Sequence, residues 1–456
     1  MLESSKPANC LSRAFLLALA CFGFASTLAI VSAVPLKIII LAAGKSTRMK
    51  SDRPKVLHNV AGLPVLRWVL DQAQSLSPEQ IIVIVGHEGA MVRRAFESEP
   101  RVSFVSQEPQ LGTGHAVMQA TDSLKGYSGE ICVLCGDVPL VLPETLKRLA
   151  ETHRASNAAC TILTTELDEP TGYGRILRDE EGNVQAIVEQ RDLKKGQERV
   201  HEINSGTYFF DSAALLERLG RLTNSNSQRE YYLTDVVHLL VADGKRVAAC
   251  LCEDSRELLG INTRRDLATC DKIARNRMLD ELMLGGVTIL DPENTYIEAG
   301  VRIGRDTTVY PHTVIHAGVI IGERCEIGPF AHLRTGTVVG NECKVGAFVE
   351  TKNARLGDES KAGHLAYLGD VTLGKDVNIG AGTIVANYDG KKKHKTEIGD
   401  GAFIGCGTVL VAPVKVGKNA QTGANTVVPH GKDVADDTIV VGAPARVLRK
   451  KAKPGA

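Results

Sequence analysis

Aromatic residues are scarce in this chain of 456 residues, at 4% of the sequence, whereas glycine occurs 44 times. Few large rings and many glycines predict tight corners and a thin core of small aliphatic side chains. The chain also lacks a charge excess: its net charge of +1 argues against a general nucleic-acid-binding protein. A hydrophobic content of 43% is typical of a globular protein, and the length predicts two or three domains.

The sequence lacks the cysteine density of a disulfide-stabilised protein, because its eleven cysteines are odd in number and scattered. Cys132 and Cys135 form a CxxC pair, but they lie in an apolar run, and no second pair follows at zinc-binding spacing. We interpret them, like Cys250 and Cys252, as reduced thiols in core strands. This cysteine usage favours a reducing compartment.

Charged residues are missing from residues 14–35, an apolar run that two basic residues precede. This run and the small residues that end at Ala33 resemble a secretory signal or a short membrane anchor. Three interpretations of the extension at residues 1–35 stay open: translation that truly starts near Val34, a membrane-tethered enzyme, and export. We leave this extension out of the fold prediction.

Residues 36–263 alternate short apolar runs with amphipathic stretches. The runs at 36–41, 81–85 and 131–134 suit buried parallel strands. Strands that alternate with helices predict an α/β sheet that binds its ligands beyond the carboxyl ends of the strands. A helical linker is predicted at residues 264–286, where Gly285 and Gly286 end it.

Beyond residue 287 the hydrophobic period changes to six. Nine aliphatic positions keep this register without a break: Ile297, Ile303, Val309, Ile315, Ile321, Ile327, Leu333, Val339 and Val345. A six-residue repeat predicts a parallel β-helix over residues 287–447, with a basic tail at 448–456. This half resembles the hexapeptide-repeat transferases. The resemblance implies a left-handed helix, a homotrimer, and acyl-CoA bound between neighbouring subunits.

The first run leads into a small-residue loop, at residues 41–49, that would bring backbone N–H groups close to phosphates. Arg48 and Lys55 add positive charge where a leaving pyrophosphate would gather negative charge. The string LAAGxSTRM with the following RPK resembles the signature of sugar-nucleotide pyrophosphorylases. Ser46 is a departure, since many members of that family have glycine at this position.

Further segments resemble that family in order along the chain. The resemblance implies that Asp137 and Asn262 bind Mg²⁺, an ion that prefers oxygen ligands. It also implies in-line attack of a sugar phosphate on the α-phosphorus of UTP. The positions that match the nucleotide-binding and sugar-binding residues are Leu41, Ala42, Ala43, Gly44, Lys55, Gln107, Gly112, Thr113, Gly136, Asp137, Gly174, Glu189, Asn204 and Asn262.

The six-residue register slips near Arg355, and repeat breaks are places where functional loops project. Acylation of an amine needs a base, and His364 in this segment suits that role. Glu350 would orient its ring, and the resemblance places an oxyanion-binding N–H at Ala381. The positions that match the sugar-phosphate and acetyl-CoA contacts of hexapeptide acetyltransferases are Arg334, Lys352, Tyr367, Asn378, Asn387, Tyr388, Cys406, Ala424 and Arg446.

Together these blocks resemble the bacterial bifunctional N-acetylglucosamine-1-phosphate uridylyltransferase / glucosamine-1-phosphate N-acetyltransferase family. Departures from that family are Cys406 in place of serine and a missing C-terminal arginine, which leaves Arg446 as a candidate CoA contact. The resemblance implies UTP, glucosamine-1-phosphate and acetyl-CoA as substrates, a cytoplasmic location, and membrane contact only through residues 14–35. Two alternatives stay open: a single-activity pyrophosphorylase with a structural β-helix, and an exported carbohydrate-binding repeat protein.

Overall fold

The computed structural model describes residues 34–86 and 88–450, without the side chains of the last two. The predicted signal or anchor segment, up to residue 33, lies outside the described residues, as do residues 451–456 of the predicted basic tail. No helix within the described ranges has the length and apolar character needed to cross a membrane.

The first half is a mixed β-sheet in which all three predicted apolar runs form strands. The strands of this half are β1 Leu36–Ala42, β2 Asn59–Val60, β3 Leu63–Pro64, β4 Gln80–Val85, β5 Val102–Ser106, β6 Glu130–Cys135, β7 Cys160–Glu166, β8 Arg175–Arg178, β9 Val184–Val188, β10 Glu202–Asp211 and β11 Val247–Leu251. Strands β2 and β3 form a separate hairpin. The main sheet has the order β11-β7-β10-β6-β1-β4-β5. Only β10 runs antiparallel to its neighbours in this series, and the hairpin β8–β9 is attached to it.

Helices cover both faces of this sheet, and the central strand β1 is apolar except for Lys37, as expected of a strand that is buried on both sides. The helices are α1 Val65–Ser75, α2 Gly89–Ala95, α3 Thr113–Met118, α4 Pro143–Ser156, α5 Ser212–Leu219, α6 Thr234–Ala242 and α7 Arg264–Leu284. Helix α7 begins with a capping box between Thr263 and Asp266 and ends at Gly285, as the sequence predicted for the linker.

The second half is a parallel β-helix whose strands are mostly two residues long. The strands are β12 Thr288–Ile289, β13 Tyr296–Ile297, β14 Arg302–Ile303, β15 Thr308–Val309, β16 Val314–Ile315, β17 Ile320–Ile321, β18 Glu326–Ile327, β19 His332–Leu333, β20 Val338–Val339, β21 Lys344–Ala347, β22 Glu350–Lys352, β23 Arg355–Leu356, β24 Lys361–His364, β25 Tyr367–Gly369, β26 Val371–Leu373, β27 Asn378–Ile379, β28 Ile384–Ala386, β29 Thr396–Ile398, β30 Phe403–Ile404, β31 Val409–Val411, β32 Val414–Val416, β33 Gln421–Thr422, β34 Val427–Val428, β35 Thr438–Val441 and β36 Arg446–Lys450. Up to β34, every third strand belongs to the same sheet, so the chain winds around a three-sided prism.

The nine aliphatic positions of the six-residue register pack into one core inside this prism, where Ile303 is only partly buried. Equivalent positions in successive coils are first 18 residues apart, as for Glu323 and Asn341, and then 17 apart, as for Asn341 and Asp358. Lys375 and Asp400 are 25 apart, because a loop projects between β28 and β29. These two changes in coil length are the structural form of the predicted break in the repeat.

The two halves meet at helix α7 and the β2–β3 hairpin. Ala299 N donates to Ala61 O over 2.8 Å, and Ala61 N donates to the Asp271 carboxylate over 2.7 Å. The Arg275 guanidinium lies 4.6 Å from the centre of the Tyr296 ring. The first coil of the β-helix therefore packs directly against α7 and the β2–β3 hairpin.

A matched pair of glycines tests how tightly the coils stack. A Cβ at Gly346 would lie 2.1 Å from the Gly363 carbonyl oxygen, whereas a Cβ at Gly363 meets no atom within 4 Å. We expect Gly346→Ala to destabilise the β-helix by about 1–3 kcal/mol through overpacking, and Gly363→Ala to leave its stability nearly unchanged. Calorimetric unfolding of both variants measures this, and equal midpoints would contradict the stacking argument.

Candidate active sites

The first candidate site begins at the carboxyl end of β1, where two contacts fix the small-residue loop. Gly136 N donates to Leu41 O over 2.9 Å, and Gln110 Nε2 donates to Ala43 O over 2.8 Å. A Cβ at Gly86 would lie 2.5 Å from the same Ala43 oxygen, so the neighbouring strand end needs glycine there. The loop is therefore held from two neighbouring strands of the sheet.

Ser46, the departure from the pyrophosphorylase signature, adopts the left-handed conformation with φ of 55°. Glycine reaches this region without strain, whereas serine does so at a small cost. The Ser46 hydroxyl donates to Gly44 O over 3.2 Å and accepts from Lys55 N over 3.3 Å. Serine thus supports the loop shape and ties it to the segment that carries Lys55.

Two cations predicted to act on the leaving pyrophosphate and two predicted metal ligands meet beside this loop. Lys55 Nζ lies 2.5 Å from Asp137 Oδ2 and 3.2 Å from Asn262 Oδ1. Arg48 Nη2 donates to the same Asn262 oxygen over 2.9 Å. Ile261 N donates to Asp137 O over 2.9 Å, which joins the two segments through the backbone. The two predicted metal ligands therefore share one cation, the Lys55 ammonium.

Nine predicted nucleotide-binding residues line a single cavity of about 460 Å³. They are Leu41, Ala42, Ala43, Gly44, Lys55, Gln107, Gly112, Thr113 and Asp137. The Gln107 side chain is buried, and its Nε2 donates to Gly112 O over 2.9 Å. Gly112 has φ of 104°, and a Cβ there would lie 2.5 Å from Tyr231 O. This wall of the cavity is therefore rigid and needs glycine.

The predicted sugar-binding residues lie together on the β8–β9 hairpin and on β10. Asn204 N donates to Gly174 O over 2.9 Å, and a Cβ at Gly174 would lie 3.6 Å from Glu189 Oε2. The Asn204 amide donates to the Tyr208 hydroxyl over 2.7 Å, which fixes its orientation. The three predicted sugar-binding residues, Gly174, Glu189 and Asn204, therefore lie close together beside the hairpin.

Glu189 is a half-buried carboxyl, and no ion pair among the described residues gives it a cationic partner. Burial raises its pKa above the ordinary value, although a 3.2 Å hydrogen bond from the Thr234 hydroxyl opposes this, and the negative charge of Asp192 adds to the rise. A carboxyl of this kind is an acceptor held ready for a hydroxyl or N–H group of a ligand. Burial likewise raises the pKa of the Cys135 thiol, to about 12, so this cysteine beside Asp137 is unreactive.

The second candidate site lies at the break in the β-helix, where adjacent strands bring predicted residues together. In the register of β22 and β25, Glu350 pairs with Tyr367 and Lys352 with Gly369. In the register of β21 and β24, Ala347 pairs with His364, whose side chain is exposed. His364 therefore follows the coil that carries Glu350 and is open to a ligand from outside the prism.

Glu350 contacts Arg334 in the structure. Its carboxylate accepts a 2.9 Å hydrogen bond from Arg334 Nη1, and the hydrogen bonds found among the described residues include none between Glu350 and His364. Arg334 lies one coil below Lys352, in register with it through Thr351. The carboxylate thus orients the Arg334 guanidinium, and the predicted orientation of the His364 ring by Glu350 stays a prediction.

Cations are concentrated at the break in the β-helix. Lys393, which we did not predict, approaches Lys352 and lowers its pKa, and the positive charge of Arg334 lowers it further. Three cations at such close range repel one another, an arrangement that a bound phosphate or carboxylate would stabilise. Next to them, the Asn387 amide donates to Asp370 Oδ2 over 2.5 Å.

The residues predicted to bind acetyl-CoA follow one corner of the prism. Gly407 N donates to Ala381 O and Asn425 N to Cys406 O, each over 2.7 Å. Ala381, Cys406 and Ala424 are therefore stacked in three successive coils, and Cys406 is exposed. Asn378 begins β27, the strand that precedes Ala381, and is in register with Lys361. Arg446 is exposed on the terminal strand β36, opposite Val441.

Some contacts escaped the sequence analysis because they depend on tertiary packing. Gln110 and Lys393 match no motif, yet one fixes the phosphate loop and the other joins the cation cluster. The only available signal for Lys393 was the basic string that follows the predicted contacts at Asn387 and Tyr388. Thr234, the partner of Glu189, lies far from it in sequence and gave no signal.

The raised pKa of Glu189 predicts a pH-dependent stability difference. At neutral pH the folded chain bears the cost of a buried carboxylate, so we expect Glu189→Gln to be more stable than the unchanged chain. As the pH falls through the raised pKa towards the ordinary value, both forms become neutral and the difference should vanish.

Urea unfolding at several pH values, followed by the fluorescence of the single tryptophan, Trp68, measures this difference. The matched control is Glu181→Gln in the same hairpin, since Glu181 is exposed. A gain of equal size at neutral and acid pH would contradict burial as the cause.

Family models agree with the division into two folds. A nucleotidyl transferase model matches residues 37–272. A model of bacterial transferase hexapeptide repeats matches residues 294–328, 318–353 and 395–430. These matches confirm the predicted fold class, an α/β nucleotidyltransferase followed by a left-handed parallel β-helix of hexapeptide repeats.

Curated relatives match nearly the whole chain. The bifunctional protein GlmU of Trichlorobacter lovleyi is 44% identical over 443 residues, which cover 90% of this chain and 96% of the relative. GlmU of Geotalea daltonii is 43% identical over 446 residues, at 90% and 97% coverage. GlmU of Enterococcus faecalis is 44% identical over 411 residues, at 83% and 89% coverage. The chain belongs to the family of bifunctional GlmU proteins and is a bifunctional enzyme, a uridylyltransferase and acetyltransferase, as its sequence predicted.

Proposed function

We propose that the β-sheet half joins N-acetylglucosamine-1-phosphate to UTP and that the β-helix half makes this substrate from glucosamine-1-phosphate and acetyl-CoA. The observation that carries the proposal is the meeting of Arg48, Lys55, Asp137 and Asn262 beside the nucleotide cavity. The break in the β-helix supplies the second site, where His364 is exposed on β24 and the cations Arg334, Lys352 and Lys393 influence one another.

In the uridylyl reaction, a phosphate oxygen of the sugar attacks the α-phosphorus of UTP in line with the leaving pyrophosphate. The loop at residues 41–44 holds the phosphates through backbone N–H groups, as its small residues permit close approach. Lys55 and Arg48 stabilise the charge that develops on the leaving group. The protein supplies position and charge, so no covalent nucleophile is required.

Asp137 and Asn262 fit a Mg²⁺ site, because a carboxylate and an amide oxygen already converge on one cation in this structure. The ion, when bound, would neutralise phosphate charge between sugar and nucleotide. Lys55 would then contribute its charge to the phosphates beside the ion. Within the described ranges, no group of three or more His, Cys, Asp or Glu could hold a metal, so substrate oxygens and water would complete the coordination.

Two groups of residues in the first site recognise the base and the sugar. The buried Gln107 amide and the backbone of Gly112 and Thr113 read the uracil edge. Glu189 and Asn204 accept and donate hydrogen bonds to the N-acetylglucosamine, and Gly174 leaves space for the ring. Gly136 brings the strand that carries Asp137 next to the phosphate loop.

In the acetyl reaction, the amino group of glucosamine-1-phosphate attacks the thioester carbonyl. A C–N bond forms, the C–S bond breaks, and His364 takes the amine proton and passes it to the departing CoA thiolate. The N–H of Ala381 stabilises the oxyanion of the tetrahedral intermediate. Glu350 orients the Arg334 guanidinium towards the substrate and does not itself contact the substrate.

The remaining predicted residues divide between the two substrates of the acetyl reaction. Arg334 and Lys352 bind the sugar phosphate, and Tyr367, Asn378, Asn387 and Tyr388 surround the sugar. The corner formed by Ala381, Cys406 and Ala424 lies along acetyl-CoA, with Arg446 at its far end.

A homotrimer with acetyl-CoA between subunits is supported by an exposed ladder of rings on the β-helix. His312, Phe330 and Phe348 stack at centroid distances of 4.9 and 5.1 Å, although Phe348 is 58% exposed. Leu365 continues this apolar surface and is 59% exposed directly beside His364. Exposed apolar surface of this extent is typical of a subunit contact.

We also assign the nucleotidyltransferase domain to residues 36–263, the linker to 264–286 and the acetyltransferase domain to 287–447. A cytoplasmic site of action is supported by the substrates and by the nine described cysteines, all of which are free thiols. Residues 14–35 would be the only route to membrane contact.

The separation of the two sites predicts a double dissociation of activities. We expect Asp137→Ala to reduce uridylyl transfer by about a hundredfold or more and to leave acetylation intact. His364→Ala should reduce acetylation to a similar extent, since a general base contributes about 10²–10⁴-fold, and should leave uridylyl transfer intact. Pyrophosphate release and thiol release from acetyl-CoA measure the two reactions in a chain that starts at Val34.

Two results would contradict this assignment. If either substitution abolished both activities in a folded protein, the two-site model would be wrong. If the unchanged chain released no thiol in the presence of glucosamine-1-phosphate, the β-helix would be a structural module of a single-activity pyrophosphorylase.

The ring ladder predicts where the trimer forms. We expect Phe348→Ser to weaken the subunit contact and to lower acetylation with the trimer fraction, while uridylyl transfer persists in the monomer. Sedimentation velocity measures the trimer fraction, and the control is Leu251→Ser, since Leu251 is 49% exposed at the end of β11 in the sheet half. If the Phe348→Ser protein sediments like the unchanged chain, the ring ladder is not part of the subunit contact.

A further inference from the structure

Arg175, at the start of β8, is a buried cation without an acidic partner. Its side chain is 2% exposed, and no acidic side chain within residues 34–86 and 88–450 forms an ion pair with it. Its Nε atom also has no hydrogen-bond acceptor among these residues. Burial lowers the pKa of this guanidinium, yet arginine stays charged in proteins, so its position costs stability that no ion pair offsets. Unfavourable groups of this kind occur at functional sites.

The Arg175 guanidinium donates its hydrogen bonds to two neutral oxygens. Nη1 donates to the carbonyl oxygen of Tyr173, and Nη2 donates to Gln190 Oε1 over 3.0 Å. The same Gln190 oxygen accepts a hydrogen bond from Gly172 N over 2.9 Å. The side chains of Arg175 and Gln190 therefore tie the loop at residues 170–174 to the segment that follows β9.

This pair of side chains lies next to the predicted sugar-binding residues. Gly174 directly precedes Arg175, and Glu189 directly precedes Gln190. Asn204 N donates to Gly174 O over 2.9 Å, so the third predicted residue is attached to the same loop. A shift of the loop would therefore move Gly174 relative to Glu189.

The β8–β9 ladder does not by itself fix the separation of these two residues. Its last pair at this end is Arg175 with Val188. Gly174 and Glu189 both lie one residue beyond that pair, outside the paired strands. Their separation depends on what joins the two chain segments past the ladder, and the Arg175–Gln190 hydrogen bond is a contact of this kind.

We propose, on the basis of the function proposed above, that Arg175 and Gln190 are positioning residues for the sugar of the uridylyl reaction. Together they hold the loop at residues 170–174 against the segment that begins at Glu189, so that the sugar-binding residues keep the separation that N-acetylglucosamine needs. A planar guanidinium can donate to the Tyr173 and Gln190 oxygens at once, which a neutral side chain of similar length cannot do. Arg175 is buried and acts on the sugar through these contacts.

The first test measures uridylyl transfer by full-length Gln190 variants. We expect Gln190→Leu to raise KM for N-acetylglucosamine-1-phosphate about tenfold, as for the loss of a hydrogen bond to a charged group. Because the phosphate and base contacts are unchanged, kcat and KM for UTP should stay within about twofold. Gln190→Glu keeps an oxygen for both donors, so its KM should match that of the unchanged chain.

The matched control is Gln185→Leu in the same hairpin. This substitution removes a 3.0 Å hydrogen bond from Gln185 to Asp179 at an exposed position of β9. Its KM for the sugar phosphate should equal that of the unchanged chain, and acetyl transfer should not change in any of these variants.

A double-mutant cycle tests whether the two residues act as a unit. We expect Arg175→Met to raise KM for the sugar phosphate as much as Gln190→Leu does, and the double variant to raise it no further. Two independent effects on the fold would instead multiply. If Arg175→Met does not fold, the Gln190 and Gln185 variants decide the question alone.

Three results would overturn the inference: an unaltered KM for the sugar phosphate in Gln190→Leu, an equal rise in Gln185→Leu, or a double variant whose effect is the product of the single effects. Failure of the proposed function is distinguishable from these results. In that case the unchanged chain itself would release no pyrophosphate from UTP and N-acetylglucosamine-1-phosphate.

Discussion

Backbone hydrogen bonding between successive coils is the constraint on which the second half depends. Each coil must return to the same position above the last, so only very small residues fit where two coils touch: a Cβ at Gly304 would lie 2.7 Å from Glu323 N. Where coils keep their length of 18 residues, the surface is regular. Where they shorten to 17 and then lengthen to 25, side chains leave the regular rows and form a site.

The candidate site of the first half is formed differently, because it is assembled from segments far apart in sequence. Asn262 is a good example: its backbone N–H donates to the Asp266 carboxylate over 3.0 Å, and Asp266 also belongs to the capping box of α7. The start of the helix that links the two halves therefore also fixes a candidate metal ligand. Linker geometry and phosphate chemistry depend on one carboxylate.

Local periodicity explains which structural features could be predicted from the sequence. The six-residue register, the three apolar strands and the ends of α7 follow from hydrophobic spacing and capping residues, which are local signals. The motif residues of the first site also lie together in the structure, with Lys55 between Asp137 and Asn262. The contacts between side chains could not be predicted from the sequence, since coil stacking and loop closure decide which side chains meet. Examples are the contact of Glu350 with Arg334 and the approach of Lys393 to Lys352.

Helix α7 also separates the two candidate sites along the chain. Its 21 residues form a rod about 32 Å long between the sheet and the prism. The residues of the first site lie on the sheet and at the start of this rod, and those of the second lie on later coils of the prism. Because no described residue belongs to both sites, a ligand that occupies one site leaves the other open.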